Sequence, residues 1–489
     1  MKDVILINKN DDVYIALHDL KKGDIIDEGI VLTEDIKQAH KIARTDLKKG
    51  HKVIKYGEVI GQLTCDVKKG SWIHSHNMVT TLNESPSYSY NKYIPENEKA
   101  SKKTFMGYVR KDGRVGIRND LYIIPTVGCV NSIVSQIKLK FILKHPEMEH
   151  AVKIATHPYG CSQLGDDFDI TRLILQGIAC NPNAGGVLVV GLGCENNRLK
   201  DFMDSMPAHD ESRVISYQSQ DVTNEVEYGL EQLEKLYEIS KKDKRVECGL
   251  DKLVLGLKCG GSDGFSGITA NPLLGRVSEI VGASGGKVLL TEVPEMFGAE
   301  QLLMNRAKDE TEFKKVVALI ENFKAYYARN NQVCYENPSP GNKDGGITTL
   351  EEKSLGCIQK AGHMEVEDTL DYGDRVKVNG LSLVNGPGND IVAGTNVAAS
   401  GATILCFTTG RGTPYGSIIP TVKIATNHKL ANFKPDWIDF DSQVVFEEGF
   451  EKAAEQLLDY ILDICSGKLT KADINGNLQI AIFKQGVTL

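Results

Sequence analysis

LYIIPTVGC (121–129), VKIATHPYGC (152–161) and GGVLVVGLGC (185–194) are three apolar, β-branched runs, and each ends in Gly-Cys. Such runs read as strands buried on both faces rather than as half-exposed ones. Their cysteines stand at 129, 161 and 194, steps of 32 and 33 residues, about one strand–helix unit each. Helix-length segments follow them, such as NSIVSQIKLKFILK (131–144). Strands alternating with helices predict an α/β fold with a mainly parallel sheet. RVISYQSQD (213–221) continues the rhythm without a cysteine. A third region opens with LVLGLKCGGSDGFSG (253–267) and has further strands at KVLLTEVPE (287–295) and ATILCFTTGRG (402–412).

Upstream the pattern is different. Short β-like runs, DVILI (3–7), VYIAL (13–17), HKVIKYGEVIGQL (51–63) and SWIHSHN (71–77), are separated by polar glycine turns such as LKKGD (20–24). One segment, VLTEDIKQAHKIARTDL (31–47), puts Ile36, Ala39, His40 and Ala43 on one helical face, so a helix is expected there. NESPSYSYNKYIPENEKASKK (83–103) is polar enough to be a linker. The expected organisation is a small β-rich module at 1–82, a linker at 83–103, an α/β domain at 104–248 and a C-terminal α/β domain at 249–489.

Composition bounds the function. A chain of 489 residues exceeds one hydrophobic core, and 41% apolar with 25% charged residues is ordinary for a globular protein. A net charge of −8 argues against nucleic acid or an anionic membrane as the main partner. No apolar run approaches a membrane span, and MKDVILINKNDDV lacks a signal-peptide core, so a cytoplasmic location is expected. Eleven cysteines in such a chain read as thiols, metal ligands or core residues, not as a disulfide framework.

In open α/β sheets, ligands bind beyond the carboxyl ends of the strands. Cys129, Cys161, Cys194 and Cys259 all fall at such ends and could converge on one crevice, although cysteine is also a small buried hydrophobe. Cys129 and Lys258 are candidate catalytic groups. Cys161, Cys194, Glu195 in GCENN (193–197) and Cys259 are candidate metal ligands. An iron–sulfur cluster would draw on the same cysteines, but no close C-x-x-C pair marks one. Arg110, Arg114 and Arg118, with Asn119, would suit a substrate carboxylate, because guanidinium binds carboxylate bidentately. A solvated hairpin has the same composition. GLKCGGSDGFSGITANP (256–272) offers Ser262, Asp263 and Asn271 to a polyol, and FTTGRGTPYG (407–416) adds Arg411. NGPGND (385–390) carries Asp390, and TEVPEMFGAE (291–300) carries Glu292, Glu295 and Glu300. His74 and His76 alternate in a β-like segment, so both would face one side and could share a metal or divide into ligand and base. Two incidental surface histidines are the competing reading.

WIHSHN (72–77), GYVRKDGRVGIRN (107–119), HPYGCSQLGDD (157–167), GLGCENN (191–197), KCGGSDGFSGITANPLLG (258–275), TEVPEMFGAE and TTGRGTPYGSIIPTVKIATN (408–427) occur in this order. Together they resemble the altronate/galactarate dehydratase family of sugar-acid dehydratases, and the length is closer to its altronate members. The resemblance implies an SAF-type β-clip module at the N-terminus and elimination of water from a hexonate or hexarate. For altronate the product would be 2-dehydro-3-deoxy-gluconate, and the cofactor Fe²⁺ or Mn²⁺. On that reading His74 and His76 deliver metal or base, with the N-terminal module closing over the crevice of its own chain or of a neighbour in a homo-oligomer. An iron–sulfur hydro-lyase and a non-catalytic sugar-acid-binding protein remain the alternatives from other classes.

Overall fold

In the computed structural model, residues 2–82, 87–96 and 98–486 are described. Residues 83–86 and 97 of the expected linker lie outside them. The protein is α/β, with an N-terminal β-rich module followed by α/β layers on mainly parallel sheets. Among the described residues no helix is long and apolar enough to cross a membrane.

The module holds an antiparallel sheet of Val4–Ile5, Val13–Ala16, Lys41–Ala43 and Trp72–Ile73, and a second sheet of Lys52–Lys55, Glu58–Leu63 and Met78–Val79. The helix expected over 31–47 is absent. Ile30–Val31 and Lys41–Ala43 are strands, and Leu20 bridges Ile36. Ala39 has φ +69°, which a right-handed helix cannot contain. The apolar spacing is still real, for Ile36, Ala39 and Ala43 are all buried. A turn followed by a strand buries them as well as a helix face would.

The expected helix 131–144 forms as Asn131–Lys144, on a four-stranded parallel sheet ordered Val152–Ile154, Asp120–Pro125, Ala184–Gly191 and Val214–Gln218. Successive residues of its central strands alternate between two cores. Leu121, Ile123, Leu188 and Val190 pack with helices Asn131–Lys144 and Glu225–Ser240. Tyr122, Ile124, Val187 and Val189 pack with helix Gly165–Ala179 and with Leu289, Leu405 and Phe407 of the next sheet. Period-two alternation in an all-apolar strand thus binds the two α/β layers together.

That next sheet has seven parallel strands: Val366–Leu370, Gly380–Val384, Lys287–Leu290, Val254–Cys259, Ile404–Thr409, Thr421–Ala425 and Phe440–Asp441. From Val254–Cys259 the chain first builds one flank and then crosses to Ile404–Thr409 to build the other. The order therefore reverses beside Cys259, where an open α/β sheet leaves its ligand crevice. The N-terminal module shares one continuous core with this sheet, Val13, Ile15, Val53 and Ile60 lying in the same cluster as Leu255, Leu257 and Phe265.

Candidate active site

Four buried side chains meet at the reversal point. Cys259 ends its strand, and Glu292 follows strand Lys287–Leu290 by two residues. Glu295 closes the short turn Val293–Glu295, and Cys357 ends helix Leu350–Cys357. Their ligand atoms all lie within 4.8 Å of one another. Cys259 Sγ is 3.6 Å from Cys357 Sγ and 3.2 Å from Glu295 Oε2, and Cys357 Sγ is 3.4 Å from the same oxygen. Glu292 sits at φ +74°, a conformation that costs a side-chain residue about 1–3 kcal/mol and persists only where its surroundings impose it. Here the Cys259 N–H donates to Glu292 Oε2 at 3.0 Å and holds the carboxylate over the strand end.

Three buried lysines balance these groups. Lys360 Nζ lies 3.0 Å from Cys259 Sγ, 2.8 Å from Cys357 Sγ and 3.0 Å from Glu292 Oε2. Lys258 pairs with Glu292 and, at 2.8 Å, with Asp390, while Lys353 pairs with Glu295 at 2.9 Å. Burial opposes the charge of Lys258, but Glu292, Asp390 and Glu295 outweigh it and hold the group well above its usual range. Lys360 behaves alike, with the two thiols and Glu292 outweighing burial. Burial raises Glu295, yet Lys353, Lys258 and Lys360 hold it below the usual carboxylate range. Contact with the Cys259 thiol, then burial, pushes Cys357 well up. Two thiols and two carboxylates on one centre fit a divalent ion of borderline softness. The Lys360 ammonium contacts three of the four, both thiols and Glu292, and supplies positive charge to the same group.

Of the residues singled out in the sequence, Lys258, Cys259, Glu292 and Glu295 belong to this cluster, and Asp390 pairs with it through Lys258. Ser262, Asp263 and Asn271 line a cavity of about 10 Å³ beside Cys357, with Lys55 and Tyr56 of the N-terminal module opposite. Asp263 ties its glycine loop to the sheet, accepting from Phe265 N–H, Ser266, Thr426 and Asn427. Asn271 is held between Gly356 O and Thr408 Oγ1. That cavity is too small for a six-carbon acid. A cleft of about 410 Å³ opens next door, lined by Asn389, Asp390, Thr413, Tyr415, Asn477 and Gln479. Asp390 links this cleft to the buried cluster: it is one-third exposed, lines the cleft, and pairs with buried Lys258. Arg411 is exposed, its own N–H anchored to Gly261 O at 3.0 Å.

Other residues are placed elsewhere. Cys129, Cys161 and Cys194 are exposed at the carboxyl end of the four-stranded sheet, whereas Cys259 is buried at the end of a strand in the other sheet, and none of the three joins its donor group. Glu195 is a loop brace, accepting from Thr126 Oγ1, Leu192 N–H and Gly193 N–H. The arginines precede strand Asp120–Pro125 and so lie at the amino end of its sheet, away from the ligand edge. Arg110 donates to Pro182 O, Arg118 O and Asn119 Oδ1, and Arg114 to Asp112 and Cys180 O. Arg118 is buried and donates to Ile464 O and Lys468 O. Asn119 spans Arg110 and Ser240 O. Thr104–Val109 and Val115–Gly116 pair as a hairpin whose tip, residues 111–113, is exposed, and Arg110 and Arg114 line a cleft of about 260 Å³ beside it. Most of the hydrogen bonds of the three arginines go to backbone carbonyls.

The histidine pair also departs from the expected geometry. The strand ends at Ile73, and residues 74–77 turn, with Asn77 and Met78 N–H both donating to His74 O. His74 is buried, with Nδ1 3.0 Å from Thr348 Oγ1, whereas His76 is exposed; both rings pack on Trp72, at 5.0 and 4.9 Å. Burial, then the Lys41 charge, draws His74 down to about 3, so it is a neutral imidazole. Neither histidine joins the donor group among the described residues. Cys357, Lys353 and Lys360 were not foreseen. Their signal is the i, i+4, i+7 spacing in KSLGCIQK (353–360), which puts two lysines and a thiol on one face.

Three family profiles cover the chain. The altronate/galactarate dehydratase SAF domain matches residues 2–81, the D-galactarate dehydratase/altronate hydrolase second domain 107–241, and the D-galactarate/altronate dehydratase C-terminal domain 250–488. The altronate dehydratase of Bacillus subtilis is 47% identical over 497 aligned positions, covering 100% of both chains. That of Escherichia coli K12 is 47% identical over 99% of both. The galactarate dehydratase (L-threo-forming) of Escherichia coli K12 is 35% identical over 95% of this chain and 93% of its own. With all three profiles in order and full-length identity to both kinds of enzyme, the chain belongs to the galactarate/altronate dehydratase family of hydro-lyases.

Proposed function

We propose that this protein dehydrates D-altronate to 2-dehydro-3-deoxy-D-gluconate with Fe²⁺ or Mn²⁺ bound by Cys259, Glu292, Glu295 and Cys357. The observation that carries the substrate is the greater identity to two altronate dehydratases, 47%, than to the galactarate enzyme, 35%. Sulfur in the donor set favours iron over manganese. A bound divalent ion would supply the positive charge that a carboxylate-stabilised carbanion at C2 needs. The chain's own residues supply the rest. Asp390 is the group in the cleft wall that a substrate reaches, and it is paired with Lys258. Asp390 can accept the proton that leaves the substrate, with the Lys258 ammonium 2.8 Å from Oδ1 stabilising the carboxylate beforehand. Arg411 is the exposed guanidinium beside the glycine loop and is assigned to the substrate carboxylate. The division into 1–82, 83–103, 104–248 and 249–489, a cytoplasmic location and a homo-oligomer belong to the same reading.

The test is a panel of aldonates and aldarates, assayed with Fe²⁺ or Mn²⁺ for 2-keto-3-deoxy acid formation. Altronate should be turned over best. Turnover of galactarate without altronate would overturn the substrate assignment. Metal retained in full by a Cys259→Ser/Cys357→Ser variant would overturn the ligand assignment.

A further inference from the structure

Three of the four exposed cysteines of this chain, Cys129, Cys161 and Cys194, sit on neighbouring loops at one end of one sheet. Cysteine is among the most buried residue types, so such a grouping in water is unusual. Each loop brings its cysteine up by means of the preceding glycine. A Cβ on Gly128 would lie 2.8 Å from His157 O, on Gly160 2.2 Å from Thr126 O, and on Gly193 2.5 Å from the Gln220 side chain. Hydrogen bonds one or two residues from each sulfur then tie the loops together. Gly128 N–H donates to Tyr159 O at 2.8 Å, Asn197 N–H to Gly160 O at 3.0 Å, and Ser162 N–H to Asn196 Oδ1 at 2.8 Å. Buried Glu195 and the Asn197 side chain both reach back to Thr126, closing the ring of loops.

We propose that Cys129, Cys161 and Cys194 form a second, separate metal site that binds an iron–sulfur cluster through three thiolates and leaves one iron open. Two sulfurs on one ion lie within about 4.6 Å of each other, twice a metal–thiolate bond of about 2.3 Å. The three sulfurs here are not mutually that close, unlike the buried group at Cys259. A polynuclear cluster spans wider thiols than a single ion does. Cys129 stands two residues before helix Asn131–Lys144, and Cys161 four before helix Gly165–Ala179. The positive ends of both helix dipoles favour an anionic cluster there. On assembly each thiol releases its proton to solvent and binds one iron, with ferrous and ferric iron in equal parts and sulfide supplied from outside, so that no electron has to be removed in the site. No substrate enters the argument, so the inference stands or falls apart from the altronate assignment.

The test uses the full-length protein, reconstituted without oxygen with equal parts of ferrous and ferric iron and with sulfide, then desalted. Iron, acid-labile sulfide and absorbance at about 400 nm are measured. The parent, Cys65→Ser and Cys259→Ser should each show the band, with on the order of four iron and four sulfide per chain for a cubane. Cys129→Ser, Cys161→Ser and Cys194→Ser should each lose most of both while keeping the parent's melting temperature. Iron without sulfide in the parent would overturn the proposal, as would a band that survives all three substitutions or disappears only with Cys259→Ser.

Discussion

At the residue scale, the buried cluster makes charge balance the controlling quantity. Lys258 faces Glu292 and Asp390, so Lys258→Met strands a buried carboxylate and should cost about 3–5 kcal/mol in denaturant unfolding. Adding Glu292→Gln should recover part of that loss, because the pair then leaves together. An unchanged or worsened double variant would show that the two are not coupled. His76→Ala should leave metal content and turnover as in the parent, since the ring is exposed, packs on Trp72 and is not part of the donor group. His74→Ala should lower the melting temperature with metal retained, because the imidazole's partner is Thr348. Loss of metal in either variant would return the pair to a ligand role.

At the scale of elements, the N-terminal module acts as a clamp on helix Leu350–Cys357. Glu352 accepts from Lys41 at 2.8 Å, from Lys55 at 2.8 Å and from Thr348 N–H. Glu351 accepts from Thr80 and Thr81, and Thr349 Oγ1 donates to Ile60 O at 2.5 Å. Five module residues thereby hold the helix that carries Cys357. One carboxylate cannot fully serve two buried ammoniums. Burial draws Lys41 down to about 8, while Glu352 outweighs burial at Lys55 and holds it above its usual range. Burial raises Glu352, but Lys41 and Lys55 bring it from 4.5 to about 2. A carboxyl depressed on folding stabilises fully above its unfolded pKa and loses that contribution as pH falls through the folded one. Stability should therefore decline between about pH 4.5 and 2, and Glu352→Gln should flatten this part of the acid limb while lowering stability at pH 7. A variant with the parent's pH profile would exclude the clamp.

At the scale of the whole molecule, the α/β layers are joined by backbone ties as well as by core. Arg118 reaches Ile464 O and Lys468 O across 346 and 350 residues of chain. Lysine lacks the fork that serves both carbonyls. Arg118→Lys should cost about 1–3 kcal/mol of stability with KM unchanged. A tenfold rise in KM with stability intact would instead place this side chain on the substrate. Gly177 packs its layer on the other, where a Cβ would lie 2.7 Å from Ala399 O. Gly177→Val should separate the unfolding of the two layers into distinct calorimetric transitions. A single parent-like transition would mean that the contact carries little of the coupling.

The sequence by itself determined the parallel α/β layers, the helix at 131–144 and the family, because period-two burial and glycine-rich strand ends are local properties that neighbouring residues specify. It also placed Lys258 and Cys259 at a ligand edge, since strand ends can be read from one run. The apolar spacing of 31–47 was legible, but its meaning was not: a positive φ at Ala39 depends on Gly264 and Gly346 packing against it from across the fold. Only the tertiary structure assigned partners. It sent Arg118 to backbone carbonyls, His74 to Thr348, and Cys357 with Lys360 to Cys259, nearly a hundred residues away. A buried thiol, carboxylate or ammonium takes its role from whichever charge lies within about 4 Å, where the low interior dielectric magnifies the interaction. That distance is set by how the layers pack, not by spacing along the chain.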